Sequence, residues 1–298
     1  MIELTQLLLA GLAVGSMYAL IAVGFVIIYK ATGVLNFAHG GLLMIGAYGA
    51  WQAINVWQLP FPLVLLGAAL LAGASAAIMQ RFILRRMVGK PAFTVIMITW
   101  ALMIILEQIP PAIWGYDMLN LGDPWGISMV SLGPISVFAI DLWSIALTVI
   151  VVAALFLFFR YTRIGIAMRA TASDQEAALA QGISPGLIHG LAWFVAGALA
   201  GLTGVMLSGG AHVVSPDLSL LAMLAFPAII LGGLDSPAGA VLGGVVIGLV
   251  EVLTANYVPV YAPWLGKNFH QVMPYLILVG ILVVRPYGLL GSRTVRRA

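Results

Sequence analysis

Residues 4–29 have the sequence L-T-Q-L-L-L-A-G-L-A-V-G-S-M-Y-A-L-I-A-V-G-F-V-I-I-Y, between Glu3 and Lys30. No charged side chain interrupts this run. About 20 apolar residues, each rising 1.5 Å, are enough for a helix to cross the hydrocarbon core of a bilayer. A cleaved signal peptide would have basic residues ahead of a shorter apolar core. We therefore expect residues 4–29 to form a membrane-spanning helix, and this expectation decides the fold class.

Similar apolar runs follow along the rest of the chain. The 298 residues are 62% hydrophobic and 8% charged, whereas a soluble domain has about 25% charged residues. The runs are continuous, unlike the alternating segments of about ten residues that build a membrane β-barrel. Further spans are expected at about residues 42–57, 63–83, 93–114, 142–159, 187–207, 218–231, 238–255 and 272–284.

The predicted fold is an all-α polytopic membrane protein with eight or nine transmembrane helices. The number depends on residues 218–231, because Pro227 interrupts that run and leaves either a full span or a half-length piece. We expect residues 1–298 to form a single transmembrane domain.

Basic residues are distributed unevenly between the two ends of these spans. If Arg81 to Lys90 is cytoplasmic, alternation of the spans places all 13 Lys and Arg residues except Lys267 on the same side. The loop at 115–141, on the other side, has no Lys or Arg. This is the distribution that the positive-inside rule requires, so we expect an external, periplasmic N-terminus and a cytoplasmic C-terminus.

Glycines recur at four-residue spacing within three of the predicted spans. Such spacing places small residues on one face of a helix and lets two helix backbones approach closely in lipid. We therefore expect closely packed helices at these positions. The pairs are Gly11 and Gly15, Gly197 and Gly201, and Gly239 and Gly243.

Several chemistries have no support in the sequence. There is no glycine-rich phosphate loop ending in Gly-Lys-Ser/Thr, no Gly-x-Ser-x-Gly, and no pair of His residues at metal-ligand spacing. There is no cysteine, and the net charge of +3 fits topogenic basic residues rather than nucleic-acid binding. We expect a protein that is not an enzyme and that binds no metal or cofactor itself.

Two acidic residues, Glu107 and Glu251, fall within apolar runs, toward the predicted outer ends of their helices. Each is either a carboxylate bonded to a neighbouring helix or interface, or a polar lining at the outer mouth of a pathway. A proton-coupled carrier needs a more central ionisable group. A passive pathway that is energised by another protein is therefore favoured, with a stand-alone channel or secondary carrier as the alternative.

Residues 160–184 form the longest polar stretch, R-Y-T-R-I-G-I-A-M-R-A-T-A-S-D-Q-E-A-A-L-A-Q-G-I-S. A short helix at about 173–182 is predicted, because Ser173 or Asp174 can cap its N-terminus and Gly182 can end it. Such a helix is either a plain connector between two spans, or it presents Ala177, Ala178 and small neighbours as a flat outward surface that fits a groove of another protein.

The segment E-A-A at 176–178, followed three residues later by Gly182, resembles the cytoplasmic coupling motif of ABC importer permeases. Three longer stretches are similar to the branched-chain amino acid ABC permease family of the LivH type. They are G-L-A-V-G-S-M-Y-A-L-I-A-V-G-F-V-I-I-Y at 11–29, V-L-N-F-A-H-G at 34–40 and F-P-A-I-I-L-G-G-L-D-S-P-A-G-A-V-L-G-G at 226–244.

The resemblance implies a multi-pass subunit in the bacterial inner membrane that imports small amino acids, chiefly branched-chain ones. It implies four kinds of partner: a LivM-like second permease, two cytoplasmic ATPase subunits that bind the ATP, a periplasmic substrate-binding protein and membrane lipid. An importer of urea, short amides or other small organic acids is the nearest alternative. The implied coupling residues are Asp174, Glu176, Ala177, Ala178 and Gly182.

Residues 35–40 and 234–239 are weakly similar, and each opens a glycine-rich span at the cytoplasmic side. We hypothesise that the two hairpins flank an inner gate and that Asn36, His39 and Asp235 supply polar groups there. The alternative is that Asn36 and Asp235 only cap helices.

Overall fold

The computed structural model describes residues 2–87, 89–122, 128–133, 135–209, 213–266 and 268–291. Lys267, the predicted external exception among the basic residues, lies outside these ranges. The elements in chain order are α1 (Ile2–Thr32), α2 (His39–Asn55), α3 (Phe61–Phe82), α4 (Ala92–Trp114), β1 (Met129–Leu132), β2 (Ile135–Phe138), α5 (Ala139–Tyr161), α6 (Arg163–Ser173), α7 (Gln175–Ala180), α8 (Pro185–Leu207), α9 (Leu218–Leu224), α10 (Phe226–Gly232), α11 (Pro237–Tyr261) and α12 (Phe269–Val284).

Each apolar run that was predicted to span the membrane falls mainly on one helix, except residues 218–231, which fall on two short ones. Within the described ranges, six helices are long and apolar enough to cross a bilayer by themselves: α1, α3, α4, α5, α8 and α11. The helices α2 and α12 are shorter, with 17 and 16 residues. The run at 218–231 is divided into α9 and α10 at Ala225. Pro227 favours this break, because it lacks an amide hydrogen and its ring crowds the carbonyl four residues before it.

The prediction of an all-α fold missed a β-hairpin in the loop before α5. Strands β1 and β2 pair in antiparallel register, with Met129 opposite Phe138 and Leu132 opposite Ile135. Gly133 has a φ of +67°, a backbone conformation that glycine adopts without strain. The strand sequences M-V-S-L and I-S-V-F are rich in the β-branched and aromatic residues that favour a pleated surface. The fold is therefore mostly helical rather than purely helical.

The chain forms two compact units. Unit 1 comprises Met1–Val26, Trp125–Thr148 and Met223–Ala298, and unit 2 comprises Ile27–Pro124 and Val149–Ala222. The chain passes between the units four times, so neither unit is a continuous segment.

In unit 2, α3 and α8 pack antiparallel through their glycines. A Cβ added at Gly197 would lie 2.6 Å from the carbonyl oxygen of Ala72, and one added at Gly201 would overlap the carbonyl oxygen of Ala68. On its other side Gly201 meets Gly46 of α2 backbone to backbone. The predicted close approach at Gly197 and Gly201 is confirmed.

In unit 1, α1 packs against α11 in the same way. A Cβ added at Gly15 would lie 2.8 Å from the Cα of Val245, and one added at Gly11 would lie 3.0 Å from the Cα of Leu249. Two backbones that approach this closely gain many dispersion contacts, which replace hydrophobic exclusion as the source of association in lipid.

The third glycine pair lies on α11 and faces α10. A Cβ added at Gly239 would overlap the carbonyl of Gly232, and one added at Gly243 would overlap the carbonyl of Ala228. All three predicted glycine pairs therefore lie at helix–helix contacts.

Candidate functional site

The polar loop of unit 2 contains two helices rather than the single predicted one. Ahead of α7, residues 163–173 form α6, whose N-cap is Thr162: its hydroxyl oxygen accepts a hydrogen bond from the Gly165 amide at 3.0 Å. Met168 and Thr171 turn inward and are buried. Ser173 is the last residue of α6, so it does not cap the next helix.

The short helix α7 begins at a side-chain cap and ends at a glycine. The carboxylate of Asp174 accepts hydrogen bonds from the amides of Glu176 and Ala177, at 2.9 and 3.0 Å. At the other end Gly182 has a φ of +80°, and its amide donates to the Leu179 carbonyl at 2.9 Å. The predicted capping by Asp174 and termination by Gly182 are confirmed, while the helix itself is shorter than predicted, at Gln175–Ala180.

The exposed face of α7 differs from the predicted one. Glu176, Ala177 and Leu179 are exposed, the last with 61% of its surface accessible, whereas Ala178 is only 4% exposed. The prediction that Ala177 and Ala178 share an outward surface is therefore wrong, because consecutive helical residues point about 100° apart. Ala178 packs inward, and its carbonyl accepts a hydrogen bond from the Ile183 amide at 3.0 Å.

Gln175, the first residue of α7, lines a cavity of about 210 Å³ in unit 2. The cavity is also lined by Gln80 of α3, Thr99 of α4 and His189 of α8. The imidazole of His189 is 7% exposed, and its Nε2 has no hydrogen-bond partner among the described residues. Sequence reasoning missed this cavity, since its lining residues lie far apart in the chain.

The hairpin before α2 is buried. Asn36 is 1% exposed, and its Oδ1 accepts a hydrogen bond from the Ala38 amide at 3.1 Å. Its Nδ2 has no hydrogen-bond partner among the residues that the structure describes. His39 is fully buried as the first residue of α2. This bond is a local turn ahead of α2, whose N-cap is Ala38 with no side-chain capping bond, so the alternative in which Asn36 only caps the helix is wrong. Asn36 keeps an unused buried donor.

The corresponding hairpin of unit 1 is capped differently. The hydroxyl of Ser236 accepts a hydrogen bond from the Gly239 amide at 3.1 Å and is the N-cap of α11. The alternative in which Asp235 caps this helix is therefore wrong. Asp235 is partly exposed in the turn between α10 and α11.

Glu251 is bonded to a neighbouring helix within unit 1. The phenol of Tyr18 on α1 donates a hydrogen bond to Glu251 Oε2 on α11, at 2.7 Å. Tyr18 was not predicted as a site residue, and a lone Tyr in an apolar span gives no signal that would identify it. Glu107 differs, since its buried Oε1 has no hydrogen-bond partner among the described residues.

Comparison with protein families matches residues 7–282 to the family described as branched-chain amino acid transport system, permease component. The chain belongs to this family. The match covers all the helices from α1 to α12 except their outermost residues, so the permease fold accounts for nearly the whole chain.

Two relatives of this permease align along almost their full length. The high-affinity branched-chain amino acid transport system permease protein LivH of Escherichia coli K12 is 28% identical, over 98% of this chain and 97% of its own. The corresponding protein BraD of Pseudomonas aeruginosa is 30% identical with the same coverage. Among solved structures, PsaBC from Streptococcus pneumoniae in complex with a Fab has a chain with a TM-score of 0.51, covering 93% of this chain and 91% of that one. At 14% identity, this likeness concerns the fold alone.

No group of three or more His, Asp or Glu side chains in the described part of the chain is placed to hold a metal ion.

Proposed function

We propose that this permease is the membrane subunit of an ATP-driven importer and that α7 is the element on which a cytoplasmic ATPase acts. One observation supports this most strongly. The capped helix α7 has an exposed outer face, and its first residue, Gln175, lines a cavity together with α3, α4 and α8. A displacement of α7 would therefore change the shape of a cavity whose lining it shares with three long helices of unit 2.

The proposed substrates are the branched-chain amino acids leucine, isoleucine and valine. The family description and the names of LivH and BraD support this assignment. In such a system selectivity lies largely with a periplasmic binding protein. The complex would contain this chain, a LivM-like second permease, two ATPase subunits and that binding protein, in the bacterial inner membrane.

We propose nine spans within a single transmembrane domain, with the N-terminus in the periplasm and the C-terminus in the cytoplasm. The basic residues on the side of Arg81 and Lys90 support this orientation. The nine runs include α9 and α10 as one discontinuous span. The four chain passages between the two units and the unbroken family match over residues 7–282 support a single domain.

In this topology Asn36, His39 and Asp235 lie at the cytoplasmic side and are proposed to border the inner gate. A buried donor without a partner, such as Asn36 Nδ2, can bond to a passing carboxylate or to a backbone group in another conformation. Glu107 and Glu251 lie toward the outer ends of their helices and are proposed to line the outer mouth.

The docking role of α7 is tested by substitution at its N-cap in the complete reconstituted transporter. Asp174→Ala removes both capping bonds, which costs about 1 kcal/mol and leaves a six-residue helix without its start signal. We expect a several-fold loss of binding-protein-stimulated ATP hydrolysis. Asp174→Asn caps helices equally well and is the matched control, with activity near that of the unaltered chain.

The charge of the exposed face is tested by Glu176→Lys. This change places a cation at the positive N-terminal end of α7 and reverses the charge presented to the ATPase. We expect coupled hydrolysis to be lost while membrane insertion and binding of the second permease remain. Full coupled activity in both Asp174→Ala and Glu176→Lys would contradict the docking role. Transport without nucleotide, or native purification with no ATPase subunit, would instead favour a channel or carrier.

A further inference from the structure

A second cavity in unit 2 lies between the end of α3 and the beginning of α8 and measures about 440 Å³. One part of its lining is apolar, with Leu187, Leu191 and Phe194. The other part carries Arg81 and Arg85. An apolar groove that ends in two cations is amphipathic along its length.

The groove exists because α3 and α8 separate toward this end. The nearest atom to an added Cβ lies 2.6 Å away at Gly197, 3.4 Å away at Gly190 and 3.8 Å away at Gly186. At Gly190 that atom is Oε1 of Gln80, and at Gly186 it is Nε of Arg85. The two helices are thus in close contact at the glycines in mid-span and diverge toward the end of α3 and the beginning of α8, where the groove lies.

The cationic end of the groove is suited to a phosphate group. Arg81 and Arg85 are exposed, and none of the described residues that line the cavity is acidic. Guanidinium groups bind phosphate oxygens through paired N–H donors. The hydroxyl of Ser184 and the first amides of α8 lie at the same end, where helical N–H groups have no intrahelical acceptor.

The apolar end of the groove lies at the depth of acyl chains. Both α3 and α8 are long enough to span the membrane, and Phe194 lies nine positions after Pro185, about 13 Å along the helix. A soluble protein does not reach that depth, whereas a lipid tail lies there by its nature. Leu187, with 61% of its surface exposed, presents an apolar side chain at the start of this path.

We propose that this groove is a binding site for an anionic phospholipid of the cytoplasmic leaflet. The lipid phosphate binds to Arg81 and Arg85, and an acyl chain lies along Leu187, Leu191 and Phe194. Basic pockets between transmembrane helices on the cytoplasmic side bind such headgroups. The assignment to this leaflet rests on the proposed orientation, while the binding itself does not depend on it.

The site adjoins the proposed coupling segment. Ser184 follows Gly182 by two residues, and Gln80 lines both this groove and the smaller cavity that Gln175 of α7 lines. Lipid occupancy is therefore expected to change coupled ATP hydrolysis, and this consequence rests on the proposed function.

The binding is tested directly on the purified complex by native mass spectrometry with phosphatidylglycerol and, separately, phosphatidylethanolamine. Two Arg residues near a membrane surface contribute about 30-fold to the affinity for an anionic lipid. We expect Arg81→Gln/Arg85→Gln to weaken phosphatidylglycerol binding by about this factor and phosphatidylethanolamine binding less, because the ammonium group of that lipid neutralises the charge of its phosphate. The matched control is Arg163→Gln/Arg169→Gln, which removes two exposed cations of α6 outside the groove. Excess inorganic phosphate is expected not to displace the lipid, because it cannot fill the apolar part.

Filling the groove with Gly190→Leu provides a second test that leaves both arginines in place, and a thermal melt checks that this variant is folded. We expect it to lose phosphatidylglycerol as well. Equal loss in the α6 control, undiminished binding in the groove variants, or displacement by free phosphate would overturn the proposal. Crosslinking of a Leu187→Cys variant to another subunit would also overturn it, since a protein would then occupy the groove. Lipid binding is measured without an ATPase assay. A failure of the proposed coupling role of α7 would therefore leave the conclusion about lipid binding unchanged.

Discussion

The hydrogen bond between Tyr18 and Glu251 connects two helices that are distant in sequence, with 233 positions between the residues. A polar group inside a membrane helix needs a partner, because lipid offers none. The carboxylate could be predicted to bond to a neighbouring helix from its place in an apolar run. Its partner Tyr18 could not be predicted, because the sequence does not specify which face of α1 meets α11.

Replacing Tyr18 by Phe removes this donor and keeps the ring. We expect the free energy of unfolding to fall by about 1–2 kcal/mol, within the range of interhelical hydrogen bonds in membranes. Thermal or detergent-induced unfolding of the purified chain measures it. Tyr261→Phe is the control, since that side chain is 79% exposed. An equal effect of both variants would show that the bond contributes no stability.

At the scale of elements, the apolar runs predicted the long helices because a helix in lipid must satisfy its own backbone hydrogen bonds. The same reasoning failed for α6 and for the β-hairpin. Residues 163–173 are polar and amphipathic, so no apolar run marks this helix in the sequence. Burial of Met168 and Thr171 holds it in place, and that burial is visible only in the structure. The strands have four residues each, too few for a periodic signal to distinguish them from a loop.

The two ends of α7 could be predicted from the sequence, whereas its exposed face could not. The caps Asp174 and Gly182 are local in sequence, and the sequence predicted both correctly. Which alanine points outward depends on how α7 packs on the rest of unit 2, and only the structure shows that Ala178 is the buried one.

Close packing of α8 between α2 and α3 predicts a large effect of a single methyl group. Gly201→Ala places a Cβ against the backbone of Ala68, so the helices must separate. We expect a loss of about 1–3 kcal/mol in the free energy of unfolding, as for other overpacked contacts. The matched control is Gly67→Ala on α3, where an added Cβ meets nothing within 4 Å. There the higher helix propensity of alanine is expected to leave stability unchanged or raise it by up to about 1 kcal/mol. A stable Gly201→Ala variant would contradict this packing.

At the scale of the whole molecule, charge placement predicts the topology, while the number of spans depends on α9 and α10. Neither helix is long enough to cross a bilayer alone, since each has seven residues. Together they cover Leu218–Gly232, with a break at Ala225. The positive-inside rule places the N-terminus outside and the C-terminus inside, so the chain must cross the membrane an odd number of times. The number is odd if α9 and α10 cross together as one span, and a joint crossing by this pair is therefore favoured.

The chain has no cysteine, so single cysteines report this topology without a background. With nine crossings, Asp117→Cys and Asp217→Cys are expected to react with a membrane-impermeant maleimide in intact cells whose outer membrane admits the reagent. Gln181→Cys, Ala238→Cys and Tyr287→Cys are expected to react only after the inner membrane is opened. Asp217 and Ala238 flank α9 and α10 and are exposed, so this pair decides the number of spans. If both react from the same side, α9 and α10 do not cross, and Tyr287 must then react from outside. That result would place the basic end of the chain in the periplasm, against the charge rule, and would exclude the proposed orientation.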